Sequence, residues 1–216
     1  MRLGLLGGTF DPIHLGHLRS AEEVRETFEL DKVLFIVAAS PPHKQRGAVA
    51  PFPHRFEMTR IALKKTPYFA ASNLEDTRGG PSYSVETLRE LRRQHDNQAE
   101  LFFIVGLDAF FDITTWREYH ELFTLTNMVV ISRPGHSWDK LRPFLKDDLG
   151  FTNEGENSYR HVSGLGVFLQ ETTPLDVSST MIRHLVREDR SIRFLVPEPI
   201  EDYIRRHHLY TEAKRA

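Results

Sequence analysis

Apolar residues along the chain follow two patterns: short continuous runs, and positions three and four residues apart. The runs are Leu3-Gly4-Leu5-Leu6, Val33 to Ala39, Leu101 to Val105, Met128 to Ile131 and Val167-Phe168-Leu169. Unbroken apolar runs of this length predict strands covered on both faces. Tyr68 to Asn73 predicts a further, weaker strand. Helical spacing occurs at Leu18, Ala21, Val24 and Phe28, from about Pro53 with Phe56, Ile61 and Leu63, and from Tyr83 to Gln94 with Val85, Leu88 and Leu91. Thr114 to Glu118 predicts the start of another helix, with a threonine cap and an acidic first turn. Val177 to Arg183 leads into a helix, and a last one is expected from about Pro199 to His207, burying Ile200, Tyr203 and Ile204. Asp76 to Ser82 reads as a polar loop. Gly135 to about Gly166 is polar and without pattern, apart from a short helix expected around Trp138 to Leu145.

Strands and helices alternate, with no internal repeat and no Pro/Gly/Ser linker. The pattern predicts an α/β fold: one domain over residues 1–216, with a Rossmann-like, doubly wound parallel sheet, helices on both faces and a helical part from about 178. Such sheets bind ligands at the carboxyl ends of their strands. Five polar segments fall there: Gly7 to His17, Pro41-Pro42-His43-Lys44, Gly106-Leu107-Asp108, Arg133-Pro134-Gly135, and Ser178-Ser179-Thr180.

Composition narrows the class. The chain of 216 residues is 40% hydrophobic and 27% charged, as in a globular protein. A formal net charge of -2 gives no general attraction to nucleic acid or anionic membranes. There is no cysteine, which excludes disulfides, thiolate catalysis and Cys-based zinc sites and fits a cytoplasmic protein. The apolar start is too short for a signal peptide, and no run approaches the ~20 residues of a membrane span.

The segment Gly7-Gly8-Thr9-Phe10-Asp11-Pro12-Ile13-His14-Leu15-Gly16-His17 joins a strand to a helix. Backbone N–H groups and the positive end of the helix dipole meet there, which suits a phosphate. Gly16 allows close approach of backbone to ligand, and the His14 and His17 imidazoles can donate to phosphate oxygens. Alternatively, two histidines at a helix start simply cap or pack. A metal pair is disfavoured, since no Glu-His partner motif accompanies them.

Gly-Gly-Thr-Phe-Asp-Pro-Ile-His-Leu-Gly-His resembles the signature of nucleotidyltransferases with a His-x-Gly-His motif. Val177-Ser178-Ser179-Thr180-Met181-Ile182-Arg183 is similar to their second signature, with Val177 where isoleucine is usual. Within that superfamily the chain resembles the bacterial nicotinate-nucleotide adenylyltransferases. The further segments that carry this are Pro41 to Lys44, Gly80 to Ser84 with Thr87-Leu88, Gly106 to Asp108 with Trp116, Ile131 to Gly135, and Val196-Pro197 with Tyr203-Ile204 and Leu209-Tyr210. The likeness covers nearly the whole chain and is weakest from Trp138 to Gly164.

The resemblance implies transfer of AMP from ATP to nicotinate mononucleotide, with release of pyrophosphate, in NAD biosynthesis. Expected catalytic residues are His14, His17, Lys44 and Arg183, with His17 on the α-phosphate and the others on the triphosphate. ATP is expected to contact Gly7, Gly8, Thr9, Phe10, Gly106, Asp108, Ser178, Ser179 and Thr180. The nicotinate nucleotide is expected at Tyr83, Ser84, Trp116 and Arg133, with the N–H groups of Tyr83 and Ser84 receiving the carboxylate. Mg²⁺ accompanies ATP, held mainly by phosphates and water. Nucleic acid and membranes are not expected partners, and a homo-oligomer is left open. Two alternatives stand: another adenylyl- or cytidylyltransferase of the superfamily, acting for example on phosphopantetheine, and a non-catalytic nucleotide-binding module.

Overall fold

The computed structural model describes residues 1–41, 49–96, 98–132 and 138–211. In chain order the strands are β1 (Arg2–Gly8), β2 (Lys32–Val37), β3 (Phe69–Ser72), β4 (Glu100–Gly106), β5 (Asn127–Ser132), β6 (Thr152–Asn153), β7 (Ser158–Arg160) and β8 (Gly166–Glu171). The helices are α1 (Leu15–Thr27), α2 (Phe52–Leu63), α3 (Leu74–Arg78), α4 (Ser84–Gln94), α5 (Leu107–Phe111), α6 (Tyr119–Leu125), α7 (Leu141–Pro143), α8 (Ser179–Arg187) and α9 (Glu198–Arg206). All strands join one sheet in the order β3-β2-β1-β4-β5-β8-β7-β6. The pairs from β3 to β8 are parallel, and the β8–β7 and β7–β6 pairs are antiparallel.

Successive residues of each strand feed opposite faces. Leu3 and Leu5 of β1, Leu101, Phe103 and Val105 of β4, and Met128 and Val130 of β5 pack beneath α4, α5 and α6. Leu6, Phe102, Ile104 and Val129 pack on the other face, against α1, α2, α8 and α9. That two-sided burial is why the strand sequences are continuous rather than alternating. The helices supply matching stripes, Val85, Leu88 and Leu91 on α4 and Ile200 and Ile204 on α9. The order β3-β2-β1-β4-β5 reverses direction of winding between β1 and β4, so a crevice opens beside the end of β1.

The fold departs from the sequence expectations in three places. Thr114 to Glu118 does not begin a helix. Ile113–Thr115 is a single 3-10 turn, Trp116 is extended, and α6 starts only at Tyr119, after Glu118 in a left-handed conformation (φ 50°). The cause lies outside the segment. Trp116 packs edge-on to Phe103, and Arg89 of α4 binds both Glu118 and Glu121. The expected polar loop at Asp76 to Ser82 is helical as far as Arg78, because the buried Glu75 of α3 accepts a hydrogen bond from Thr87 at 2.8 Å. The segment without pattern folds as α7, a π turn over Phe144–Asp148, and the β6–β7 hairpin that makes one sheet edge antiparallel. Trp138, Leu141, Leu145 and Phe151 bury its inner side.

Leu5 is fully buried in β1, hydrogen-bonded between β2 and β4. Leu5→Ala is expected to lower the unfolding free energy by about 3 kcal/mol, measured by urea denaturation. A loss below about 1 kcal/mol would show that β1 is not the packed centre of the sheet.

Candidate active site

The loop from Thr9 to His14 is built by close packing. A Cβ on Gly8 would stand 2.8 Å from the ring of Phe10, so only glycine fits there. Phe10 has a left-handed backbone (φ 47°) and turns its buried ring against Phe35 and edge-on against His17, at centroid distances of 5.7 and 5.1 Å. The Asp11–Pro12 peptide is cis. His14, buried, occupies the cap position of α1. Its N–H donates to His17 Nδ1 at 3.3 Å, and the two imidazoles stack with centroids 3.6 Å apart. A neutral imidazole that accepts at Nδ1 carries its proton at Nε2. His17 is thus held as an Nε2 donor. A Cβ on Gly16 would meet Val177 Cγ1 at 3.0 Å and His14 Nδ1 at 3.1 Å, so a larger residue would push the two signature segments apart.

Beside this loop lies a cavity of about 450 Å³. Its lining includes His14, Gly16 and His17 at the start of α1, Gly106 and Asp108 at the start of α5, and Ser178 and Ser179 at the start of α8. Three helix N-termini therefore open on one space at the carboxyl ends of the central strands. The positive ends of two full helices, α1 and α8, make it a place for an anion. Leu6, Ile131 and Val177 supply apolar wall, and a Cβ on Gly106 would meet nothing within 4 Å. One wall, the segment after β8, is tied to α1: Thr173 N–H donates to Glu23 at 2.8 Å, and the Thr173 hydroxyl also bonds that carboxylate. Burial pulls the Glu23 pKa up, but the bonds from Thr173 and Arg19 outweigh it and hold the group below its ordinary value.

The second signature is clamped to the first. Ser179 Oγ donates to the Pro12 carbonyl at 2.9 Å, and Arg183 Nη1 donates to the Asp11 carbonyl at 2.8 Å. Arg183 Nη2 reaches Thr180 Oγ1 at 3.3 Å, and Ser178 Oγ caps α8 by accepting from Met181 N–H at 3.1 Å. Three residues that sequence reasoning did not assign complete the arrangement. Asp11, 1% exposed, accepts from Tyr210 Oη at 2.8 Å and from the Ala50 N–H at 3.2 Å. Arg55, 2% exposed, donates to the carbonyls of Thr9, Ala38 and Ala50 at 2.7–2.8 Å. Burial lowers the Arg55 pKa, and the charge of Asp11 raises it. The available signal was an arginine among Phe52, Phe56 and Met58 on α2, where the apolar stripe would place it inside.

The expected site residues divide accordingly. His14, His17, Gly106, Asp108, Ser178 and Ser179 line the cavity. Gly7, Gly8, Thr9, Phe10, Thr180 and Arg183 do not. Phe10, expected to meet ATP, is instead buried as the support of His17, and Thr9 offers its carbonyl to Arg55. Arg183 is anchored by the first signature loop. Tyr83, Ser84 and Trp116 lie apart from the cavity, on the face of the sheet that carries α4 and α6. Tyr83 N–H, expected to receive a carboxylate, donates to the Pro81 carbonyl at 3.0 Å. The Arg117 guanidinium lies over the Tyr83 ring at 4.9 Å. His43, Lys44 and Arg133 lie outside the described residues. Among the described residues no three His, Asp or Glu side chains are grouped to hold a metal, and no helix is long and apolar enough to cross a membrane.

The cytidylyltransferase-like family model matches residues 5–185. A probable nicotinate-nucleotide adenylyltransferase of Geobacter sp. (strain M21) is 46% identical, the match covering 99% of this chain and 100% of that protein. The chain belongs to the nicotinate-nucleotide adenylyltransferase family. Another such relative, from Syntrophotalea carbinolica, is 47% identical over the whole of both chains. Among solved structures, the Plasmodium falciparum nicotinic acid mononucleotide adenylyltransferase complexed with NaAD superposes with a TM-score of 0.76, covering 97% of each chain at 18% identity. At that identity the likeness is one of fold, and it places the chain's sheet among those of nicotinic acid mononucleotide adenylyltransferases.

Arg55→Met would leave the carbonyls of Thr9, Ala38 and Ala50 without their buried donor and remove one of the positive charges near Asp11. It is expected to cost on the order of 3 kcal/mol of stability, read from denaturant unfolding. An unchanged midpoint would contradict the role assigned to the buried guanidinium.

Proposed function

We propose that the protein is a nicotinate-nucleotide adenylyltransferase that transfers AMP from ATP to nicotinate mononucleotide, giving nicotinate adenine dinucleotide and pyrophosphate. The observation that carries this reading is the meeting of the two signature helices, α1 and α8, at one cavity, in a chain that shares 46% identity with a family relative along its whole length. In this reading the cavity takes ATP, and the nicotinate nucleotide lies on the face of the sheet that carries Tyr83 and Trp116.

The 5′-phosphate of nicotinate mononucleotide attacks the α-phosphorus of ATP in line. A bond from that phosphate oxygen to phosphorus forms, the bond to the β-phosphate oxygen breaks, and pyrophosphate leaves with the electron pair. The attacking phosphate is already anionic, so no covalent enzyme intermediate is required. The protein's part is positioning and electrostatic stabilisation. His17, held by its Nδ1, directs Nε2–H at the α-phosphate, where negative charge develops in the transition state. His14, Lys44 and Arg183 bind the β- and γ-phosphates. Asp108 at the start of α5 accepts from a ribose hydroxyl. Mg²⁺ enters as part of the ATP complex, its ligands mainly phosphate oxygens and water.

Discrimination for nicotinate falls to the start of α4. With Tyr83 N–H already bonded to Pro81, the Ser84 amide and the helix dipole are the donors for a carboxylate, and Trp116 flanks the pyridine ring. Pyrophosphate release with ATP and Mg²⁺ is expected with nicotinate mononucleotide and to be at least about tenfold slower with nicotinamide mononucleotide, the loss of one charge-assisted contact. No release with either would overturn the reading.

His17→Ala removes the one donor aimed at the α-phosphate. It is expected to lower kcat by roughly 10²–10³ with the melting temperature little changed. A variant retaining most of its activity would contradict the role of His17.

A further inference from the structure

We propose, building on the adenylyl-transfer reading, that Asp11 is a positioning residue for Arg183, and that Tyr210, near the carboxyl end of the chain, locks Asp11 in that role. Arginine side chains are long and flexible, and one that must meet a triphosphate needs its head fixed beforehand. Here the guanidinium rests on Asp11 twice. Nη1 donates to the Asp11 carbonyl at 2.8 Å and stands 3.6 Å from Asp11 Oδ2.

Asp11 Oδ2 is buried and has no hydrogen-bond donor among the described residues, so its interaction with Arg183 is one of charge. Oδ1, by contrast, is saturated, by Tyr210 Oη and the Ala50 N–H. The division fixes the carboxylate plane. One oxygen is bonded to Tyr210, beyond α9, and to the segment before α2. The other is turned, dry, toward Arg183. Burial and the Asp11 charge push the Tyr210 phenol well above its ordinary pKa, so its hydroxyl keeps the proton that it donates.

Of the five guanidinium N–H donors, only two have partners among the described residues, the Asp11 carbonyl and Thr180 Oγ1. In the adenylyl-transfer reading the others are the donors that meet phosphate oxygens. Rotating the Asp11 carboxylate would turn this fixed fork into a mobile one without removing any group that touches ATP.

The test is a double-mutant cycle on ATP affinity, measured by calorimetry without the second substrate, in wild type, Tyr210→Phe, Arg183→Ala and the double variant. Tyr210→Phe is expected to raise the ATP Kd about tenfold in the wild-type background and less than twofold once Arg183 is absent, since a residue acting through Arg183 has nothing left to position. Equal losses in the two backgrounds would overturn the proposal in favour of general scaffolding, as would wild-type affinity in Tyr210→Phe. Should Tyr210→Phe not fold, Asp11→Asn takes its place in the cycle; should Arg183→Ala not fold, Arg183→Met, which also lacks the charge, serves with the same expectations. Wild-type protein that binds ATP but does not turn over nicotinate mononucleotide would refute the substrate assignment and leave the cycle readable. Wild-type protein that binds no ATP would overturn both.

Discussion

A carboxylate buried away from water has to be given donors and countercharge from the protein, and Asp11 receives them from parts of the chain far apart in sequence. Ala50 comes from the segment before α2, Arg183 from α8, and Tyr210 from beyond α9. Arg55 closes the same region from beneath by taking the carbonyls on either side of the β2–α2 connection and that of Thr9. Meeting that single electrostatic requirement brings the first signature loop, the second signature helix and Tyr210 to one place. Asp11 and Arg55, which hold the segment leading to His14 and His17, are thus part of the scaffold.

The sheet supplies the other half of the arrangement. Parallel strands buried on both faces leave their polar residues at their ends, and the reversal of winding between β1 and β4 opens space there. Gly7 and Gly8 continue the alternation of β1 to its last residues. A Cβ at Gly7 would face Phe103 and the Trp116 side, and one at Gly8 would face Phe10 and the histidine side. The last two residues of β1 therefore turn one toward Phe103 and the other toward Phe10, on opposite faces of the sheet. On the histidine side no side chain has to change covalent state. Stacking of His14 on His17 and the bond to Nδ1 fix an imidazole donor before substrate arrives, which is the condition for electrostatic stabilisation without reorganisation.

Much of this was legible in the sequence because it depends on local patterns. Unbroken apolar runs marked the buried parallel strands, helical spacing marked α1, α4 and α9, and the two signature segments marked the cavity's lining at His14, His17, Ser178 and Ser179. What escaped was set by contacts distant in sequence. Thr114 to Glu118 carries the local marks of a helix start, but Phe103 and Arg89 dictate its course. Phe10 sits in the first signature segment, among glycines and histidines that suit a phosphate, yet its ring is part of the core. The β6–β7 hairpin is short and mostly exposed, so it lacks the apolar signal of a strand, and it is anchored mainly by Tyr159 and its pairing with β8. The partnership of Asp11 with Tyr210 spans 199 positions, beyond what spacing or propensity registers.

In the proposed mechanism the two signature segments form one nucleotide site, with His17 at the reacting phosphorus. A crystal structure of the protein with a non-hydrolysable ATP analogue tests it most directly. His17 Nε2 is expected within about 3 Å of an α-phosphate oxygen and Arg183 on the β- or γ-phosphate, with the base in the cavity between β1, β5 and the start of α8. A triphosphate seated away from both helix starts, or bound with His17 turned from the α-phosphate, would contradict it.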